Sequence, residues 1–163
     1  MKKVEVLFDD KKLVEKIQRK LPKLFQIAEL ESSRAGKIGM EVGSVREKII
    51  VALLIHKFGE KNVETEIPIT ESEVDVKVFG KPISIKTITG KNLGGIKLIW
   101  TVDAEKALEF RKNYKPRCDM ILIQINWDNG GGFFYIPLNV QLEVLKKIGI
   151  KNYIKLPKTG TNP

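Results

Sequence analysis

A carboxylate and a lysine are predicted to lie side by side on a β-hairpin near the middle of the chain. The runs EVDVKV and ISIKTI alternate between apolar and polar residues, which is typical of strands with one buried face. A two-residue turn at Gly80 and Lys81 would pair Asp75 with Lys86 across the hairpin. The carboxylate could hold a hard cation such as Mg²⁺, and the lysine could orient or deprotonate water that attacks a phosphodiester. The structural alternative is an ordinary cross-strand ion pair that contributes about 0.2–1 kcal/mol.

Composition narrows the chemistry that the chain can support. Its 163 residues include one cysteine, Cys118, which is expected to be a buried small hydrophobe, and one histidine, His56, which is expected to be structural. A cysteine-cluster zinc site and an intrachain disulfide are excluded, and a histidine triad is disfavoured. The net charge of +9 and a sequence pI of about 9.6 favour a polyanionic partner, with nucleic acid ahead of a membrane surface. Catalysis must therefore depend on carboxylates, lysines and hydroxyls.

The elements before the hairpin are predicted to be helical. Asp9 and Asp10 favour the start of a helix that runs to about Leu30, and Pro22 should split or kink it. A polar stretch with three glycines, from residue 31 to residue 44, predicts a loop. A second helix follows this loop, and its long apolar run predicts that it is buried.

The remaining pattern predicts a sheet between helices. Strands are expected at VETEIPI, EVDVKV, ISIKTI and FFYIP, with CDMILIQINW as the central buried strand. Further helices are expected from about Asp103 and from Leu138 to Ile148. The order of elements is then α-α-β-β-β-α-β-β-α, so we expect an α/β fold with a mixed β-sheet flanked by helices.

The hairpin carries a family resemblance. Asp75, followed after eight residues by Ser84-Ile85-Lys86, is similar to the PD-(D/E)xK motif of a nuclease superfamily, and the surrounding elements resemble its common core over Gly43 to Gly149. Within this superfamily, the runs KTITGKNLGGIKLIWTVDAEKA and WDNGGGFFYIP resemble type II restriction endonucleases of the ThaI type, which cut CGCG. The resemblance implies a restriction-endonuclease-like core and Mg²⁺-dependent hydrolysis of duplex DNA.

The chain departs from the superfamily motif at two positions. Val74 replaces a common proline, which is harmless, whereas Ser84 replaces the second acid, and a hydroxyl is a weaker metal ligand than a carboxylate. The resemblance implies that another acid completes the site. Glu47, in the helix before the hairpin, is the first candidate as a metal ligand beside Asp75, and Glu73 is the fallback. Glu47 also completes an S-x-x-E capping box with Ser44, which would explain it without an active site.

DNA contacts are predicted on two glycine-containing segments on either side of the hairpin. Glycines permit close approach of the backbone, and basic side chains suit phosphates. Met40 could wedge between base pairs or fold back onto the core. The predicted DNA-binding residues are Arg34, Lys37, Met40, Arg46, Lys91, Asn92 and Lys97.

The expected protein is a cytoplasmic type II restriction endonuclease, paired in function with a cognate methyltransferase. Catalysis is assigned to Asp75, Glu47, Lys86 and the degenerate position Ser84, with Mg²⁺ as cofactor. A homodimer is expected because palindromic sites mirror protein two-fold symmetry. One nuclease domain is expected over residues 1–163, with a helical and loop region at 1–43, a catalytic core at 44–149 and a basic segment at 150–163. No apolar run is long enough to cross a membrane.

Two other functions fit the same residues. The first is a Holliday junction resolvase or DNA repair nuclease built on the same core, which would cut junctions or damaged DNA instead of a linear recognition site. The second is a non-catalytic DNA-binding domain whose nuclease site decayed at Ser84, which would bind DNA in a salt-dependent way without cutting it.

Overall fold

The computed structural model describes residues 4–34, 40–90, 96, 98, 103–126 and 130–156, without the side chains of residues 31–34, 40–44 and 130. A 3-10 turn over Val4–Asp9 leads into helix α1, Lys11–Arg34. The predicted cap is confirmed, because the Leu13 N–H donates to the Asp10 carboxylate at 3.1 Å. Pro22 lies inside α1 without dividing it into two helices.

Helix α2, Met40–Phe58, begins four residues earlier than the sequence pattern indicated. The predicted loop is therefore wrong at both ends, since α1 continues to Arg34 and α2 already includes Ser44. Extending an existing helix by a turn costs little once the helix is nucleated, so glycine and polar residues do not stop it. The helix is also only partly buried: Ile50 and Leu54 are fully covered, whereas His56 is exposed.

The sheet contains five strands in the order β1-β2-β3-β4-β5, with β3 and β4 parallel and the other neighbours antiparallel. The predicted mixed sheet and central strand are confirmed. The expected first strand is reduced to two residues, and Ile69 beyond it is 96% exposed. The strands are β1 Val63–Glu64, β2 Val76–Val78, β3 Lys81–Thr89, β4 Asp119–Asn126 and β5 Gly130–Ile136.

Helices complete the predicted order of elements around this sheet. Helix α3, Ala104–Asn113, connects the parallel strands β3 and β4, and Asp103 caps it by accepting from two backbone N–H groups. Helix α4, Leu138–Ile148, follows β5, and a short helix α5, Ile150–Tyr153, comes after it. No helix in the described part of the chain is long and apolar enough to cross a membrane.

The core lies between the sheet and the two N-terminal helices. Apolar side chains from α1, α2 and the middle strands form one cluster with almost no exposed surface. Because α2 packs against β2 and β3, one face of this helix is held directly over the hairpin. The largest fully buried members are Phe25, Ile50, Leu54, Ile83, Ile121 and Ile123.

The hairpin turn differs from its predicted position by one residue. Val78 pairs with Lys81, so the two turn residues are Phe79 and Gly80, with φ angles of 52° and 79°. Two positive φ angles are the signature of a type I′ turn, which glycine adopts readily. Phe79 accepts the unusual conformation while its ring packs edge-on against Phe58 at 5.4 Å. The predicted pairing was therefore wrong by two residues, which leaves every side chain on its predicted face.

Candidate active site

Asp75 is fixed against strand β3 at a point just before β2 begins. Its backbone N–H donates to the Ile83 carbonyl at 3.0 Å, and its carboxylate accepts from the Ile85 N–H at 2.6 Å. The register places it beside Ser84 rather than Lys86, which corrects the predicted cross-strand pair. A residue held through both its backbone and its carboxylate has a defined direction, as a metal ligand or a catalytic group requires.

Ser84 supports Asp75 from the neighbouring strand. Its side chain is fully buried, and its hydroxyl donates at 3.5 Å to Asp75 Oδ2, the same carboxylate oxygen that accepts from the Ile85 N–H. The Ser84 hydroxyl therefore contacts the Asp75 carboxylate. Ser84 itself occupies the position where the superfamily motif has a second acid.

Glu47 lies against Asp75 from the overlying helix α2. A hydrogen bond joins the two carboxyl groups, and burial followed by this contact raises the pKa of Glu47 to about 8. Because a second carboxylate lies against it, the buried Glu47 favours its protonated form when no cation is bound. The capping-box interpretation of Glu47 is wrong, because Ser44 lies inside α2 and cannot cap it.

Lys86 provides positive charge next to these acids. It lies half-buried on β3, two residues beyond Ser84 on the same face of the strand. Its ammonium group lowers the pKa of Glu47 and of Glu73, although burial dominates for both carboxyls. Lys86 was predicted to lie near an acidic group, and the acids that its charge influences are Glu47 and Glu73.

Glu73 is held by the segment that leads into strand β4. One carboxylate oxygen accepts from the Tyr114 hydroxyl at 3.3 Å, and the other accepts from the Arg117 backbone N–H at 3.2 Å. Burial raises the pKa of Glu73 despite these donors. Within the described residues, no group of three or more acidic, histidine or cysteine side chains could hold a metal ion. The acids available together are thus Glu47 and Asp75.

The residues predicted to bind DNA divide into three groups, according to how much of each the structure describes. Arg46 forms an ion pair with Glu29 of α1 and lies over the Phe25 ring at 5.9 Å, with only 12% of its side chain exposed. It therefore joins α1 to α2 in this structure. Arg34 ends α1 and Met40 begins α2, but their side chains lie outside the description. Lys37, Lys91, Asn92 and Lys97 lie outside the described residues.

The structure also reveals a cleft that the sequence analysis did not anticipate. It encloses about 950 Å³ between the hairpin, helix α3 and the linker after α3, and Lys86 lies on its wall. Tyr114 and Arg117 belong to this wall. The sequence offered only a weak signal, the basic and aromatic run NYKPR immediately before the central strand.

Cys118 lies just before strand β4 as an inert side chain. Cys118 is buried as predicted, and burial raises the pKa of its thiol to about 12, which leaves the thiol protonated and unreactive.

A mixed sheet that carries paired acids and a lysine at its central hairpin defines a restriction-endonuclease-like nuclease. The chain belongs to the ThaI restriction endonuclease family, whose model, described as "Restriction endonuclease ThaI", matches residues 7–163. It is thus a type II site-specific endonuclease, and the predicted family and fold are confirmed.

A solved structure gives the same result. This chain resembles one described as "Restriction endonuclease in complex with substrate DNA", with 63% sequence identity and a TM-score of 0.89. The match covers 98% of this chain and 77% of the other. No curated protein matches the chain.

Proposed function

We propose that this enzyme hydrolyses phosphodiester bonds of duplex DNA with Mg²⁺ held between Glu47 and Asp75. The observation that carries the proposal is the contact of these two carboxyl groups, brought together from helix α2 and the hairpin, with the Lys86 ammonium nearby. The similar solved structure, described with substrate DNA, supports DNA as the polymer that is cut.

The acidic pair fits a hard divalent cation. Carboxylate oxygens are preferred ligands of Mg²⁺, and a cation between Glu47 and Asp75 would offset the repulsion that otherwise retains a proton there. A bound divalent cation supplies neutralisation of charge on the phosphate and activation of the attacking water. Glu73 remains the fallback ligand, but both of its oxygens already accept hydrogen bonds from Tyr114 and Arg117.

Lys86 and Ser84 perform the remaining tasks in this scheme. Lys86 orients the attacking water and contacts the phosphate, and its position beside Glu47 keeps the ammonium at the acidic pair. The water oxygen forms a new bond to phosphorus, the bond to the sugar oxygen breaks, and the leaving oxygen takes a proton. Ser84 holds the Asp75 carboxylate in place through its hydroxyl. It therefore positions a ligand instead of binding the metal.

The broader assignments follow from this role. We propose that residues 1–163 form one nuclease domain with its catalytic core at 44–149, and that the enzyme acts as a cytoplasmic homodimer paired with a cognate methyltransferase. Two copies related by a two-fold axis would present two active sites to a palindromic sequence. The DNA-binding role stays proposed for Arg34, Lys37, Met40, Arg46, Lys91, Asn92 and Lys97.

Plasmid cleavage tests the proposal. Purified protein is incubated with plasmid DNA and Mg²⁺ beside Asp75→Ala, Lys86→Ala and the surface control Lys147→Ala, and the fragment ends are sequenced. We expect discrete fragments from the wild type and the control, with ends that reveal whether the site is CGCG. Cleavage should fall at least about 1,000-fold in the two site variants. Undiminished cutting by Asp75→Ala would contradict the assignment, and no cutting by the wild type would leave a DNA-binding module.

A further inference from the structure

One wall of the cleft beside Lys86 is formed by residues other than Glu47 and Asp75. One face of α3 forms this wall, where Lys106, Glu109, Phe110 and Asn113 recur at helical spacing. The linker after the helix continues the wall and adds further cationic side chains. Because Lys86 lines the same cleft, any ligand in it would extend directly to the active site.

The cationic side chains on this wall form no ion pair in the described part of the chain. Lys106 and Lys115 are exposed, and no described side chain forms an ion pair with either of them. Two of the three acids that line the cleft are engaged, since Glu71 pairs with Lys77 at 3.0 Å and Glu73 accepts from the Tyr114 hydroxyl and a backbone N–H. The third acid, Glu109, is outnumbered by the cations of the wall. The exposed cations are thus left to attract an anion.

The spacing of these cations suits an extended polyanion better than a small ion. Lys106 lies in the first turn of α3 and Lys115 just beyond its last residue, so they are separated by at least about 10 Å of helix. Duplex DNA carries one phosphate per about 3.4 Å of axis on each strand. The wall is therefore long enough to follow several consecutive phosphates.

Hydrogen bonds fix the wall relative to the catalytic hairpin. Glu73, two residues before Asp75, accepts from Tyr114 and from the Arg117 backbone, so the linker is attached to the segment that carries the metal-binding carboxylate. Tyr114 is in turn stacked against Tyr153 with ring centroids 6.2 Å apart. A phosphate bound on this wall would be held at a set distance from the scissile bond.

We propose that the cationic wall, formed by Lys106, Lys115 and Arg117, binds the DNA backbone beside the scissile phosphate. The proposal rests on the proposed DNA-cleaving function. It assigns these residues to phosphate contact, which positions the duplex without reading its sequence.

The test compares two double variants with the same loss of charge. Lys106→Ala/Lys115→Ala removes cations from the wall, whereas Lys146→Ala/Lys147→Ala removes two exposed lysines at the end of α4, outside the cleft. Affinity for a duplex oligonucleotide is measured by fluorescence anisotropy without divalent metal over a range of salt concentrations. Each phosphate contact contributes about 0.9 to the slope of log affinity against log salt.

We expect the wall variant to lower the magnitude of this slope by about 1.8 relative to the wild type, with KM rising and single-turnover kcat retained. Arg117→Ala should give about half of that change in slope. The α4 variant should match the wild type. Equal slopes for both double variants would overturn the proposal while the wild type still binds and cuts DNA. A wild type that neither binds nor cuts would instead contradict the proposed function.

Discussion

Two acidic sites on either side of strand β3 are balanced in opposite ways. Asp119 begins β4 in register with Ile83, one residue from the Ser84 that contacts Asp75. The Asp119 carboxylate receives the Lys81 ammonium at 2.7 Å, the Leu138 N–H at 2.7 Å and the Tyr135 hydroxyl. Burial alone would raise its pKa, but these donors hold the pKa of Asp119 below its ordinary value.

The pair formed by Glu47 and Asp75 lacks such compensation. Burial and mutual repulsion raise the pKa of Glu47 to about 8, and the Lys86 ammonium offsets this only in part. A buried carboxylate with enough donors stabilises the fold, whereas a carboxylate pair left short of positive charge is the kind of arrangement found at functional sites. The comparison therefore separates a structural acid from the pair that we propose as the metal site.

The largest expected effect comes from removing charge at the uncompensated pair. Glu47→Gln keeps the shape of the side chain but removes a metal ligand, so single-turnover cleavage in Mg²⁺ should fall at least about 100-fold, or about 2.7 kcal/mol. Glu73→Gln, whose oxygens face Tyr114 and Arg117, should cost less than about 10-fold. Quench-flow cleavage assays would measure both. The reverse order would make Glu73 the second ligand.

A smaller effect, on stability instead of catalysis, is expected at the compensated site. Asp119→Asn weakens the contacts with Lys81, Tyr135 and the Leu138 N–H, which should lower the free energy of unfolding by about 2 kcal/mol. For a chain of this size, Tm should fall by roughly 4–8 °C. Thermal unfolding followed by circular dichroism would show the shift, and cleavage per folded molecule should stay close to the wild type. Loss of cleavage without loss of stability would remove the distinction between the sites.

The smallest expected effect is a pH dependence of the metal-free protein. The pKa of Glu47 rises on folding from 4.5 to about 8, so its contribution to stability is present below pH 4.5 and is lost as the pH rises through about 8. The loss should be about 1 kcal/mol, after a discount for solvent screening of a partly exposed group.

Glu47→Gln and Mg²⁺ should each remove this pH dependence, because both relieve the repulsion at the pair. Chelator-treated wild type and variant would be unfolded in urea at several pH values, with and without Mg²⁺. A wild type whose stability is as insensitive to pH as that of the variant would show that Glu47 and Asp75 do not interact as described.

The order of elements and the central strand were predictable because they depend on local periodicity. The continuous apolar run from Cys118 can be buried only in the middle of a sheet, and the alternating runs on either side of Gly80 form a hairpin. The resemblance to the nuclease superfamily identified Asp75, Lys86 and Glu47 as candidate active-site residues within these elements.

Features that depend on contacts between distant segments could not be predicted. Gly80 fits either residue of a type I′ turn, and the choice that places Phe79 at positive φ involves its contact with Phe58. The ion pair of Arg46 with Glu29 could not be predicted, because nothing local indicates a partner seventeen residues earlier. The S-x-x-E pattern at Ser44 was also misleading, since helix α2 extends beyond it.

Anomalous diffraction from crystals grown with Mn²⁺ tests the central claim most directly, because it locates the cation independently of cleavage. The account predicts an anomalous peak in contact with the carboxylates of both Glu47 and Asp75. A peak bound by Glu73 without Glu47, or no peak at the pair in protein that cuts DNA in Mn²⁺, would contradict it.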